Sequence, residues 1–123
     1  MTRLSVCIFL SLSCALIGCG SGLSSQEIEQ VKSAVKQGLE IWQNKKTPAS
    51  AKTIPDGWQF LDEDWKAGST LTEFTITNVT VDKDKLPRCW VTLKLNKQGK
   101  PISREVCYIV DLSRKMINRD PYL

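Results

Sequence analysis

Residues 24–42, SSQEIEQVKSAVKQGLEIW, carry the pattern that decides the fold. Ser24 followed three residues later by Glu27 is a capping box, in which each side chain accepts a hydrogen bond from the other residue's backbone N–H. Apolar residues then recur at spacings of three and four on one helical face: Ile28, Val31, Val35, Leu39 and Trp42. The stretch predicts an amphipathic helix that runs from Ser24 to about Lys45 and packs its apolar face on a sheet.

Beyond this helix the apolar period changes to two, which is typical of β-strands. Strands are predicted over residues 70–81, 88–95 and 102–110, with a short last strand at Met116-Ile117. The apolar phase slips near Asn78, which predicts a β-bulge. The predicted fold class is therefore α+β: one N-terminal helix on an antiparallel meander of about four strands, in a single domain of residues 24–123.

The first residues of the chain have the pattern of a secretory signal. Arg3 precedes fourteen uncharged, mostly apolar residues, Leu4–Ile17, and Gly18 and Cys19 follow. A basic start, an apolar middle and a small-residue cleavage site define such a signal. The apolar run is shorter than the roughly 20 residues that a membrane-spanning helix needs, so we expect cleavage.

The end of this signal, Leu16-Ile17-Gly18-Cys19, resembles the lipobox of bacterial lipoproteins. The resemblance implies that residues 1–18 are a signal peptide cleaved between Gly18 and Cys19, and that the Cys19 thiol carries lipid. Residues 19–23 are then the lipidated cysteine and a short tether, whose last four residues reach roughly 15 Å. Because Gly20 and not aspartate follows the cysteine, the resemblance places the anchor in the periplasmic leaflet of the outer membrane if the host has two membranes. An ordinary cleaved signal with an unmodified Cys19 is the alternative.

Two of the five cysteines leave with the signal and Cys19 takes lipid, so Cys89 and Cys107 remain. An oxidising compartment predicts a disulfide between them, as a structural staple. The hydrophobic pattern conflicts with this pairing, because alignment of the apolar positions sets Cys89 opposite Tyr108 and puts the two thiols on opposite faces of the sheet. We predict the disulfide, and both registers stay open.

The composition restricts catalysis. The chain has no histidine, which removes the commonest general base and the commonest metal ligand. We predict no catalytic residue, no metal and no cofactor, and no small-molecule ligand is identifiable. The acidic cluster Asp62-Glu63-Asp64 supports the alternative of a small hydrolase or glycan-processing enzyme. Adjacent carboxylates on a connector usually point in different directions into solvent, so we favour a protein that is not an enzyme.

Three tryptophans are candidates for a binding surface. Trp58 and Trp65 flank the acidic connector, where they either stack on a ligand or close the core. Trp90 alternates with Val91, which places it on the sheet face opposite the apolar residues.

The order of elements, with Tyr108–Asp111, a Ser-Arg-Lys turn and Met116-Ile117 at its end, resembles cystatin-like and PepSY-like domains. In those domains a helix packs on a meander that closes with a strand, a turn and another strand. The resemblance implies the fold and no functional residue.

These observations predict a lipid-anchored extracytoplasmic domain of the bacterial cell envelope that acts by binding, as an adaptor or inhibitor. Its expected partners are the membrane, through Cys19, and another envelope protein. The formal net charge of the whole chain is +4, and loss of Arg3 with the signal leaves +3. Such a mild positive charge suits anionic headgroups, and we expect no nucleic-acid partner outside the cytoplasm. A purely structural envelope lipoprotein is a further alternative.

Overall fold

The computed structural model describes residues 22–44 and 55–122. Its helices are α1 (Ser25–Gln43) and α2 (Glu63–Lys66), with a 3₁₀ turn at Pro55–Gly57. Its strands are β1 (Gln59–Leu61), β2 (Thr70–Val81), β3 (Pro87–Lys97), β4 (Lys100–Asp111) and β5 (Met116–Arg119). The predicted signal peptide, its cleavage site at Gly18 and the lipid acceptor Cys19 lie outside the described residues. Within those residues no helix is both long enough and apolar enough to cross a membrane.

Helix α1 begins at the capping box. The Ser24 hydroxyl accepts from the Glu27 N–H at 3.1 Å, and the Ser24 N–H donates to the Glu27 carboxylate at 3.4 Å. Its buried face consists of Val31, Ala34, Val35, Gly38, Leu39 and Trp42. Gly38 allows a close approach to the sheet, because a Cβ there would lie 2.6 Å from the Phe60 ring.

The strands form one mixed sheet in the order β1-β5-β4-β3-β2. The last four strands are antiparallel neighbours, whereas β1 pairs parallel to β5 at the far edge. The α+β class is as predicted, but the sheet has five strands and is not a purely antiparallel meander of four. The added strand is the short apolar run before the acidic connector. It lies at the edge next to β5, and the connector carries the chain across to the opposite edge, where β2 begins.

The register of β2 on β3 is interrupted twice. Shifts occur between Leu71 and Glu73 and between Ile76 and Asn78. The second shift lies where the apolar phase slips in the sequence, so the predicted bulge is present. After it, Val79 takes the inward position opposite Cys89.

Both helices cover the same face of the sheet. The buried cluster joins the apolar face of α1 and Trp65 of α2 to inward-facing strand residues, among them Phe60, Leu71, Val91, Leu93, Val106, Tyr108, Val110 and Ile117. On β3 the intervening residues are half-buried or exposed. Within residues 22–44 and 55–122, no helix covers this second face.

Candidate functional site

Beyond Lys100 at the hairpin end, the inward-facing row of β4 contains two polar side chains. Arg104 and Tyr108 occupy positions that pair with Leu93 and Cys89 of β3. Arg119, the last residue of β5, pairs with Tyr108 from the other side. Strand pairing alone therefore brings a phenol and two guanidinium groups together on the face that α2 covers.

Asp62 connects the acidic connector to this row. It is the N-cap of α2, and its Oδ1 accepts from the Asp64 N–H at 2.8 Å and from the Trp65 N–H at 3.1 Å. Its other oxygen, Oδ2, accepts from the Tyr108 hydroxyl at 2.6 Å. The residue is 1% exposed, so a buried carboxylate satisfies the start of a helix and a buried phenol at once.

Asp64 brings the second carboxylate to the same place. Arg119 lies between the two acids, with its Nη1 3.5 Å from Asp62 Oδ1 and hydrogen-bonded to Asp64 Oδ2. Arg104 Nη1 donates to the same Asp64 oxygen at 3.1 Å. We call these five residues, Asp62, Asp64, Arg104, Tyr108 and Arg119, the buried ion network. Its two carboxylates and two guanidinium groups balance in charge.

Burial and the neighbouring acids change two pKa values in the network. Burial raises the pKa of Tyr108 well above its ordinary value, and the charge of Asp62 and its hydrogen bond with the phenol act in the same direction. Burial lowers the pKa of Arg119, but the hydrogen bond to Asp64 and the charges of Asp62 and Asp64 outweigh it and raise that pKa. At neutral pH the phenol therefore stays protonated and the guanidinium of Arg119 stays charged, so both groups remain hydrogen-bond donors.

The expectation of a solvated acidic connector is wrong for two of its three residues. Asp62 and Asp64 are buried and converge, while Glu63 is exposed. The prediction assumed that adjacent carboxylates on a connector point in different directions into solvent, whereas Asp62 caps a helical turn that lies on the sheet. A signal was present in the sequence: the apolar register that sets Cys89 opposite Tyr108 also sets Leu93 opposite Arg104, and a charge in an apolar row requires a buried counter-charge.

A shallow pocket of about 150 Å³ lies beside the network. It is lined by Leu61, Asp62, Glu63, Lys66, Asn118 and Arg119. Its volume is below the roughly 300 Å³ at which small-molecule sites begin. Among the residues that the structure describes, no three side chains of metal-ligating type cluster together. The carboxylate oxygens of the network accept hydrogen bonds from protein donors. The pocket beside the network is small.

Two of the three candidate binding tryptophans belong to the core. Trp58 and Trp65 are 6% and 4% exposed, so of the two alternatives for these candidates, a binding surface or core closure, the structure shows core closure. Trp65 stacks on Trp42 with ring centroids 6.1 Å apart, and the Trp42 indole donates to the Ser69 carbonyl at 2.8 Å. All three rings belong to the buried core.

Trp90 is half-buried on the uncovered face of the sheet. Its indole N–H donates to the Thr80 hydroxyl at 2.9 Å, which holds the ring against β2. Arg88, two residues earlier on the same face, forms a two-point ion pair with Asp84 at 3.0 and 2.9 Å. It also lies 3.8 Å from Asp120. An aromatic ring beside a fixed ion pair is the main feature of this face.

Cys89 and Cys107 do not form the predicted disulfide. Both are free thiols, and the register is the one that the hydrophobic pattern favours: Cys89 faces Tyr108 and Cys107 faces Trp90. Consecutive residues of a strand point to opposite sides of the sheet. Because Cys107 precedes Tyr108, which faces Cys89, the two thiols lie on opposite faces. Burial raises the pKa of Cys89 to about 12 and that of Cys107 to about 11, which makes both thiols poor nucleophiles.

Comparison with known proteins gives no family model, no curated protein and no solved structure that matches this chain.

Proposed function

We propose that the protein is a lipid-anchored extracytoplasmic domain of the bacterial cell envelope, which binds another envelope protein and performs no catalysis. In this proposal Cys19 carries the anchor, in the periplasmic leaflet of the outer membrane if the host has two membranes. The observation that carries the binding role is the asymmetry of the sheet. Its inward face is filled by α1 and α2, while its other face displays Trp90 with no described helix over it.

Trp90 suits a binding surface for two physical reasons. A half-buried indole offers apolar area that a partner removes from water, and tryptophan is among the residues most enriched at the energetic centre of interfaces. Its hydrogen bond to Thr80 fixes the ring before binding, which lowers the ordering cost of association. The neighbouring Arg88 and Asp84 supply charged groups at the margin of the apolar ring.

The enzyme alternative is weaker on this geometry. A general acid or base needs a carboxyl group that reaches a substrate. Each carboxylate of the buried ion network is engaged by Arg119, and Asp62 also accepts from a helix start and from Tyr108. These contacts support a role for Asp62 and Asp64 in holding α2 on the sheet.

In-cell photo-cross-linking tests the binding role. A photoreactive residue at Thr92, next to Trp90 on the uncovered face, should capture a defined envelope protein, and Trp90→Ala should abolish the capture. The matched control places the same group at Ser33, an exposed position on α1. Equal capture from both positions, or capture that is unchanged by Trp90→Ala, would contradict the proposal.

A further inference from the structure

The two edges of the sheet differ greatly in length. The β1 edge has 3 residues and the β2 edge has 12. Proteins protect long edges against pairing with other chains by lysine, proline, bulges or cover, while very short edges need no protection. Strand β2 is therefore the edge at which protection must be sought.

Apart from its two bulges, most of β2 has little protection of this kind. The Gln43 side-chain amide donates to the Thr72 carbonyl at 2.8 Å, which closes the start of the strand. Glu73 is the last charged residue before the strand ends, and its carboxylate lies 3.2 Å from Lys94 of β3. The eight residues that follow, Phe74–Val81 or FTITNVTV, contain no charge, no proline and no glycine. Segments of this composition are strongly prone to pair as strands.

The bulge makes this segment symmetrical. Inward-facing apolar residues lie at Phe74 and Ile76 before the bulge and at Val79 and Val81 after it. Read in either direction from the Thr77–Asn78 bond, the segment gives the same order of polar and apolar residues. Phe74, Ile76 and Val79 are only half-buried, although they pack against the core. A strand that matches its own reverse is what a two-fold symmetric interface requires.

From this symmetry we propose that a second copy of the chain pairs with the β2 edge. The two β2 strands run antiparallel about a two-fold axis that passes between them at the level of the Thr77–Asn78 bond. Ile76 then faces Val79 of the second copy, and Thr75 faces Thr80. Each such pair joins residues from the same side of the sheet, and Phe74–Val81 contains no charged residue. One position beyond each end of the segment, Glu73 faces Asp82 of the second copy.

The pairing also places the α1 helices of the two copies on one face of the joint sheet. Because inward residues face inward residues, the ten strands of the two copies form a continuous sheet with both α1 helices on the same face. Both chains enter α1 from that side, so two short tethers can reach one membrane. The two Trp90 residues then lie on the opposite face, three strand spacings or about 14 Å apart. The dimer itself does not depend on lipid or on an envelope partner, and it stands or falls separately from the proposed function.

Register-specific cysteine cross-linking tests the pairing in the full chain. Two differently tagged copies, one with Thr75→Cys and one with Thr80→Cys, are produced in the same cells, and their membranes are treated with a mild oxidant. Directly opposite residues in an antiparallel pair lie about 4.5 to 5.5 Å apart, within reach of a disulfide. Two Thr75→Cys sites would be separated by five residues, or about 17 Å. We expect a mixed-tag dimer from the two together and at least tenfold less from either variant alone.

Ser103→Cys provides the matched control, because Ser103 is exposed but lies on the central strand β4. A yield from Ser103→Cys with Thr80→Cys that equals the yield of the predicted pair would overturn the proposal, as would the absence of any cross-link. A cross-link yield from either variant alone that equals the yield from the mixed pair would rule out this register.

A second measurement uses the size of the detergent-extracted protein. Native mass spectrometry should detect a dimer, and Asn78→Lys should reduce it at least tenfold by placing two ammonium groups beside the two-fold axis. Ser103→Lys should leave the dimer intact. A monomer for the unsubstituted chain refutes the proposal even if cross-links form by collision.

Discussion

Asp62 is expected to stabilise the domain more than any other acidic residue of the connector. Asp62→Ala removes the N-cap of α2, which costs about 1 kcal/mol. It also leaves the buried Tyr108 hydroxyl without its acceptor at 2.6 Å, and an unsatisfied buried donor costs about 1 to 3 kcal/mol. The expected loss in the free energy of unfolding is about 2 to 4 kcal/mol. This is a large part of the total free energy of unfolding, about 5 to 15 kcal/mol for a typical domain.

Two further variants separate the parts of this loss. Asp62→Asn keeps an oxygen for the Asp64 and Trp65 N–H groups and removes the charge, so it should cost about 1 kcal/mol, the difference between a charged and a neutral hydrogen bond. Tyr108→Phe removes the phenol from the other side. If the two groups act through their hydrogen bond, the double variant should lose less than the two single losses combined, by about 1 kcal/mol.

Urea unfolding of the full chain, followed by tryptophan fluorescence, measures these losses, because Trp65 lies next to the cap. Glu63→Ala is the control: this neighbouring carboxylate is exposed, and its removal should change stability by less than about 0.5 kcal/mol. If Asp62→Ala loses no more than Glu63→Ala, the buried ion network does not hold α2 on the sheet.

The elements that could be predicted from the sequence are those specified by local chemistry. The capping box at Ser24 sets the start of α1 through two hydrogen bonds between residues three apart. The bulge near Asn78 follows from a change of apolar phase within one strand. In both cases the deciding contacts lie close in sequence, so pattern and structure agree.

The parts that could not be predicted depend on contacts between distant residues. The run that forms β1 has three residues, too few to identify its neighbour, and its partner β5 begins more than fifty residues later. The burial of Asp62 depends in the same way on Tyr108 and Arg119. The disulfide prediction used the redox environment against the apolar register, and the register prevailed because it buries a whole row of side chains while the disulfide would join one pair.

Four further predictions test the anchor, the core and the thiols. Cys19→Ser should block processing and move the protein from the detergent phase to the aqueous phase on Triton partitioning; unchanged partitioning would refute the anchor. Leu39→Ala should cost about 2 to 5 kcal/mol in urea unfolding, because Leu39 is fully buried, and a loss under half a kilocalorie would place that face in solvent. Alkylation under non-reducing denaturing conditions should label both Cys89 and Cys107, and no labelling would mean that they are joined. Stability should also fall as the pH rises above about 9, since burial raises the pKa of these two thiols from 9.0 to about 12 and about 11. In that range the unfolded chain releases protons that the folded chain keeps, and above pH 10 the raised pKa of Tyr108 adds to the loss. Replacement of both cysteines by alanine should remove the part of the decline that begins near pH 9, and a decline that is the same without the thiols would show that they do not titrate on unfolding.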